Sequence, residues 1–319
     1  MYRYRGGVVK RVLLASPRGY CAGVERAVET VERAIEEFGA PVYVRKQIVH
    51  NSRVVTELQA RGAVFVDSEE DVPEGAIVVF SAHGVAPAVR ANAARRALTT
   101  IDATCPLVTK VHSEARRYAA DGYTVVLVGH AGHEEVEGTM GEAPGAIVLV
   151  ESAADAERLE VADPERVAFV TQTTLSVDET VEIVDVLRRR FPRLHGPPTE
   201  DICYATTNRQ RAVKDLLAKV EVLLVIGSDN SSNSRRLVEV AHAAGVPSYL
   251  IDSVAELDES RLEGVETVGL TSGASAPEVL VDEVCDWFRA HGVTEIREVS
   301  PERENVFFRL PAELRRSAA

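Results

Sequence analysis

Short runs of Val, Ile, Leu and Ala alternate along the chain with longer amphipathic stretches, and the alternation sets the element order. Residues 8–15 (VVKRVLLA) predict a first strand, and 22–38 a helix that Gly39 ends. VYVRK (42–46) and AVFVD (63–67) read as strands on either side of a helix over 52–61. AIVVFSAHG (76–84) is a strand running into a polar loop, with a helix over 86–97 behind it. The pattern then restarts. TTIDATC (99–105) is strand and loop, and 106–120 is helix. TVVLVG (124–129) runs into the polar stretch HAGHEEVEGTMGE. IVLV (147–150), a helix over 153–159, VAFVTQTT (167–174) and a helix over 177–190 complete that round. The Pro-rich segment 192–200 reads as a linker. A third round follows, with helices at 207–219, 232–244 and 277–291 and strands at 222–227, 248–252 and 267–275. NVFFRL (305–310) reads as an edge strand in a C-terminal tail.

The three rounds share spacings as well as order. Cys21 precedes His50 by 29 residues, Cys105 precedes His133 by 28, and Cys203 precedes Ser231 by 28. Each round also carries a second polar loop after a strand: SAHG (81–84), TQTT (171–174) and TSGAS (271–275). Fixed periods of this kind mark an internal repeat. The expectation is an α/β chain of three pseudo-equivalent units, residues 8–100, 101–198 and 199–292, with a tail at 293–319. Ligands of open α/β sheets bind beyond the carboxyl ends of the strands, where these loops lie.

Composition narrows the class. Of the 319 residues 45% are hydrophobic and only 5% aromatic, which suits parallel strands covered by helices. The net charge of −13 argues against wrapping nucleic acid or lying on anionic lipid. No apolar run approaches the roughly 20 residues of a membrane span. The basic, briefly apolar start of the chain lacks a full signal-peptide core, because Pro17 and Arg18 cut it short. A cytoplasmic location is expected, so four cysteines suggest metal, catalysis or core rather than disulfides.

Three of those cysteines stand where a helix begins. Pro106 after Cys105 suits a first helical turn, and that position favours the thiolate. Cys21 (PRGYCAGVERA) and Cys203 (DICYATTNRQ) occupy comparable places. Three thiolates can hold a four-iron cluster by three of its irons and leave the fourth open, as catalytic zinc sites keep one position open. Zinc fits the thiols alone as well. Cys285 lies inside a helix and reads as core. His50, His83 and His133 all follow strands and can donate to phosphate oxygens. In NSSNS (230–234), Ser231 serves equally well as a helix N-cap or as a phosphate ligand. Thr173, Thr174 and Ser275 carry the same ambiguity. Within HEEVEG, Glu134, Glu135 and Glu137 are rival proton carriers, and spacing does not choose among them. There is no Walker-type loop and no G-x-G-x-x-G after the first strand.

The motifs PRGYCAGVERA, SAHGV, DATCPLVTKVH, HEEVEGTMGE, TQTTLSVDET, DICYATTNRQ, NSSNS and SGASAPE occur in one order over nearly the whole chain. Together they resemble the signature set of the 4-hydroxy-3-methylbut-2-enyl diphosphate reductase family of the non-mevalonate isoprenoid pathway. The resemblance implies a trefoil of three α/β units around a central [4Fe-4S] iron–sulfur cluster, with one iron not ligated by cysteine. It implies Cys21, Cys105 and Cys203 as cluster ligands. It implies Glu135 as proton donor, with Thr173 near the substrate hydroxyl and Thr174 beside it. His50, His83, His133, Ser231, Ser232, Asn233 and Ser275 are implied as substrate-binding groups. Electrons are expected from ferredoxin or from flavodoxin with its reductase. The competing expectation is a non-redox hydro-lyase that uses the cluster as a Lewis acid. Two residues depart from the family pattern: Glu134, where the family usually has Pro, and Thr207, where it usually has Gln. Glu134 is expected to face solvent.

Overall fold

The computed structural model describes residues 9–300 and 302–315. Val8, the start of the first expected strand, the rest of the basic N-terminal stretch and the last four residues of the tail lie outside the described residues. The chain opens with β1 (Arg11–Ala15), α1 (Ala22–Phe38), β2 (Val42–Arg45), α2 (Ser52–Ala60) and β3 (Ala63–Val66). Next come β4 (Ile77–Phe80), α3 (Pro87–Arg95), β5 (Thr99–Asp102) and α4 (Pro106–Ala120). Then follow β6 (Thr124–Val128), α5 (Glu134–Met140), β7 (Ile147–Val150), α6 (Ala153–Arg158), β8 (Val167–Thr171) and α7 (Val177–Arg190). The last stretch holds α8 (Tyr204–Leu217), β9 (Val222–Ile226), α9 (Ser232–Ala243), β10 (Ser248–Ile251), β11 (Thr267–Ser272), α10 (Glu278–Ala290) and β12 (Glu295–Val299).

The strands form three sheets, in the orders β3-β2-β4-β5, β7-β6-β8 and β10-β9-β11-β1-β12. Every pairing within them is parallel, so the expected α/β class holds. The chain divides into two compact units. One gathers the chain up to Cys21, His50–Val54 and Tyr204–Val306; the other holds Ala22–Val49, Val55–Cys203 and the chain from Phe307.

Within the first unit the five-stranded sheet is covered on both faces. Val12 and Leu14 of β1 and Leu224 and Ile226 of β9 pack with Leu280 and Val284 of α10. The alternate residues Leu13, Ala15, Leu223 and Val225 pack with Val213 and Leu216 of α8 and Leu237 of α9. This period of two is what a strand buried on both sides dictates. In the other unit, the three-stranded sheet puts Val126, Val128 and Phe169 against Ile183 and Leu187 of α7. Its opposite face sets Val125, Leu127 and Val170 against Val111 and Ala115 of α4 and Val136 of α5.

Strand membership departs from chain order in two places. β1 pairs with β11 and β12 and thus joins strands from the far end of the chain. β5, which spans the expected boundary at 100/101, pairs with β4. Two readings of the tail are corrected. Residues 295–299 form β12, an edge strand beside β1. Residues 305–310 carry no strand: their aromatic and β-branched residues suit a sheet, but no strand among the described residues pairs with them. The HEEVEGT stretch, expected as loop, contains α5, whose two apolar residues, Val136 and Met140, span too short a stretch to give a periodic signal.

Candidate active site

Each of the three candidate cysteines is the residue directly before a helix: Cys21 before α1, Cys105 before α4 and Cys203 before α8. Cys105 caps α4 with Pro106 in the first turn. All three are half-buried, and no disulfide involves any of the four cysteines. Their backbone amides are seated alike. The Cys21 N–H donates to the carbonyl of Ala274 at 3.2 Å, that of Cys105 to Ala82 at 3.0 Å and that of Cys203 to Thr173 at 3.0 Å. Those carbonyls belong to the SGAS, SAHG and TQTT loops, so each strand-end loop seats the cysteine of the following round. Cys285 is buried in α10, and burial pushes its thiol up, which makes it a core residue as expected.

In the unit that holds Cys105 and Cys203, α5 carries the acid groups. His133 is its N-cap, and its Nδ1 accepts from the Glu135 backbone N–H at 3.1 Å. Burial first, and the neighbouring His83 second, lower the His133 imidazole to about 3. The ring is therefore neutral at neutral pH. With Nδ1 accepting, the proton sits on Nε2, which becomes a hydrogen-bond donor. The His83 and His133 rings meet edge to face with centroids 5.7 Å apart.

Glu135 is 2% exposed, and both of its carboxylate oxygens are held by one residue. Oε1 accepts from the Thr173 backbone N–H at 2.6 Å, and Oε2 accepts from the Thr173 hydroxyl at 2.9 Å. Burial raises this carboxyl to about 7, against the opposing pull of those two hydrogen bonds. Among the three rival glutamates only this one is buried, and at about 7 it is divided between its protonated and ionised forms at neutral pH. Beside Thr173, the Thr174 hydroxyl accepts from the Gln172 amide at 2.9 Å.

Glu134 does not face solvent. Its Oε2 meets His83 Nδ1 at 3.2 Å and accepts from the Ser81 hydroxyl at 3.3 Å, and its side chain is only 16% exposed. Burial alone would raise this carboxyl, but the bond and charge of His83 hold it below the ordinary value. Proline has no polar side chain and could make neither contact. The substitution thus places a carboxylate against one of the candidate substrate histidines. No sequence signal separates an inward from an outward glutamate at the first residue of so short a helix.

In the other unit the hydroxyl cluster is assembled around Ser231. This residue caps α9: its Oγ accepts from the Ser234 N–H at 3.3 Å and from the Ser234 hydroxyl at 3.0 Å. The Ser275 hydroxyl lies 3.4 Å from the same oxygen and 2.8 Å from the carbonyl of His50. Asn230 Nδ2 lies 3.4 Å from His50 Nδ1. Asn233 ties two segments together, accepting from the Ala274 N–H at 2.8 Å and reaching Thr206 Oγ1 at 3.3 Å. Ser232 begins α9 and is half-buried. Capping and phosphate binding are thus not alternatives at Ser231: the cap is present, and it clusters hydroxyls at a helix N-terminus, where amide N–H groups favour anions. Ser234, which carried no signal of its own, is fully buried at the centre of this cluster.

Comparison with known proteins gives a consistent result. The family model described as "LytB protein" matches residues 12–296. A 4-hydroxy-3-methylbut-2-enyl diphosphate reductase from Acidothermus cellulolyticus is 61% identical over 308 residues, 96% of this chain and 91% of that protein. One of the same name from Streptomyces coelicolor is 58% identical over the same shares. Among solved structures, the E-1-hydroxy-2-methyl-but-2-enyl-4-diphosphate reductase from Plasmodium falciparum superposes with a TM-score of 0.91 at 38% identity, covering 96% of this chain and 97% of that one.

Proposed function

We propose a function from one premise: the chain belongs to the LytB protein family. It is a reductase of the non-mevalonate isoprenoid pathway, and its substrate is the allylic diphosphate (E)-4-hydroxy-3-methylbut-2-enyl diphosphate. The reaction breaks the allylic C–O bond, consumes two electrons and two protons, and yields isopentenyl or dimethylallyl diphosphate and water. The relatives' shared name favours this redox reading over the non-redox hydro-lyase.

Cys21, Cys105 and Cys203 would hold a [4Fe-4S] cluster, with one iron left without a cysteine. The donor set fits that group: three soft thiols, each at a helix start and each with its backbone amide tethered. When bound, such a cluster supplies electrons and a Lewis-acidic iron for the substrate hydroxyl. Electrons would reach it from ferredoxin or from flavodoxin with its reductase. We place the protein in the cytoplasm, consistent with its having no helix, among the described residues, long and apolar enough to cross a membrane. The recurrence of the seated cysteine supports reading the chain as three related α/β units.

The observation that carries the mechanism is the buried Glu135 carboxyl pinned by Thr173. Raised to about 7, it is protonated in a large fraction of molecules at neutral pH and yields the proton without a large uphill step. The Thr173 hydroxyl, 2.9 Å from Oε2, is placed to relay that proton to the leaving oxygen, and Thr174 extends the same polar loop. His133, neutral with its proton on Nε2, would donate to substrate without adding charge. His83 would bind beside it, oriented by Glu134. His50, Ser231, Ser232, Asn233 and Ser275 would bind the diphosphate, with Asn233 also fixing the loop that carries Ser275. Two variants test the reading. Cys105→Ser should lose the visible absorbance of the cluster and activity together, and full activity in a colourless protein would reject the redox assignment. Glu135→Ala should keep the absorbance and lose turnover by at least about a hundredfold; an unchanged rate would dismiss it as proton donor.

A further inference from the structure

Three basic side chains outside the chemistry above repeat one contact. Arg26 lies in α1, five residues after Cys21. Its guanidinium donates to the carbonyls of Ala103 at 2.9 Å, Thr104 at 3.0 Å and Asp102 at 3.3 Å, the residues leading into Cys105. Lys110 lies in α4, five residues after Cys105. Its Nζ donates to the carbonyls of Thr199 at 2.7 Å and Glu200 at 3.1 Å and to the Asp201 carboxylate at 2.9 Å, the residues leading into Cys203. Arg209 lies in α8, six residues after Cys203. It donates to the carbonyls of Gly19 at 2.7 Å and Tyr20 at 3.4 Å, the residues leading into Cys21. Each of these contacts lies inside one compact unit. The order closes on itself: the helix begun by one cysteine braces the approach to the next, and the third braces the first.

Local energetics do not account for the placement. Burial opposes charges of this kind. Arg209 is fully buried, with Glu304 at 3.1 Å as its counter-ion. The Asp201 carboxylate that meets Lys110 has a fully buried side chain, and burial is the leading cause that lowers the Arg26 guanidinium. What offsets these costs is the same in each case: a charged donor satisfying consecutive carbonyls of the segment that leads into the next cysteine.

We propose that Arg26, Lys110 and Arg209 are positioning residues that hold each cysteine-bearing loop at the geometry a cluster ligand needs. The proposal rests on the cluster reading above. Each brace also couples the seating of one thiol to the helix that another thiol begins. Loss of one brace should therefore be felt at the next cysteine in the cycle, not at the cysteine of its own helix.

The test uses the full chain, purified anaerobically with its cluster, and two measurements besides activity. One is amide hydrogen exchange read on peptides covering 16–21, 99–105 and 198–203. The other is iron release to a chelator well below the unfolding temperature. Lys110→Met should exchange at least tenfold faster in 198–203, where the Cys203 amide sits, with the other two peptides within twofold of the parent. Iron release should quicken at least fivefold with an unchanged Tm, and Lys110→Arg should restore both. Arg26→Gln should move the effect to 99–105. Arg209 is fully buried and its loss endangers folding, so Arg209→Lys serves there, with the effect in 16–21. Unchanged exchange in the next loop for both Lys110→Met and Arg26→Gln would overturn the proposal. So would faster exchange in all three peptides and in the core around Cys285, which marks general loosening. Directional loosening in a protein purified without iron or sulfide would instead overturn the cluster reading and remove the ligand from the proposal.

Discussion

At the scale of single residues, Glu135 shows how one environment sets both chemistry and stability. Its carboxyl ordinarily titrates near 4.5 and sits at about 7 in the fold, burial being the largest cause. Between those values the native state binds more protons than the unfolded chain, so its contribution to stability is fully present below 4.5 and is lost as pH rises through 7. Each tenfold gain in proton affinity on folding is worth about 1.4 kcal/mol, so the loss by pH 8 is on the order of 3 kcal/mol. Glu135→Gln removes the titration and keeps the geometry, since an amide can still accept from the Thr173 N–H and can donate to its hydroxyl. The variant should match the parent in Tm near pH 4.5 and exceed it at pH 8, while turning over poorly at both. A parent whose stability does not fall relative to the variant across that interval would show that the carboxyl titrates normally. The same physics explains what the sequence could and could not disclose. HEEVEG offered three acids, and only depth of burial separates Glu135 from its neighbours. Glu134 went unread for a related reason: whether a first-turn residue points inward depends on His83 and Ser81, about fifty positions away along the chain.

At the scale of elements, the strands and long helices were legible because their apolar positions repeat with the period of the structure that buries them. β9 alternates between two cores, and α7 shows Ile183, Val184 and Leu187 on one face. α5 was not legible, having only Val136 and Met140 as apolar residues among acidic and small ones. The segment 305–310 misled in the opposite direction, since strand-like composition requires a partner to become a strand. Close approach is the other property composition conceals. Ser234, at the start of α9, sits between the ends of β9 and β11. A Cβ on Gly227 would lie 2.1 Å from its hydroxyl oxygen, and one on Gly273 would lie 2.0 Å from it. Glycine at both strand ends is therefore what lets α9 approach and Ser231 gather its hydroxyls. Gly273→Ala should destabilise the protein by about 1–3 kcal/mol and raise KM more than it lowers kcat, because the displaced loop carries Ser275. Adding Ser234→Ala should recover part of that loss, a coupling that a double-mutant cycle in thermal denaturation would detect. Strict additivity of the two changes would show that the contact is relieved elsewhere.

At the scale of the whole chain, the recurring spacings suggested a repeat, but nothing in the sequence named the sheet partners. Local pattern identifies a strand, but parallel neighbours are chosen by long crossovers that leave no periodic trace. β1 is the clearest case. It opens the chain, yet it lies between β11 and β12, with Arg11–Leu14 beside Thr267–Leu270 and Arg11–Ala15 beside Glu295–Val299. Its side chains enter both cores of that sheet: Val12 and Leu14 on one face, Leu13 and Ala15 on the other. The C-terminal third of the sequence, which reads as a self-contained round of strands and helices, therefore lacks a strand from the middle of its own sheet. Expressed alone, residues 199–306 should leave β11 with an unpaired edge, β12 with no partner, and a gap through both apolar layers. Exposed parallel edges and open cores favour aggregation over folding. The fragment should give rapid amide exchange throughout β9–β11 and no cooperative thermal transition, although every helix signal it contains is intact. A fragment that melts cooperatively with protected amides in β11 would show that the sheet closes without β1, and that the third round is a folding unit in its own right.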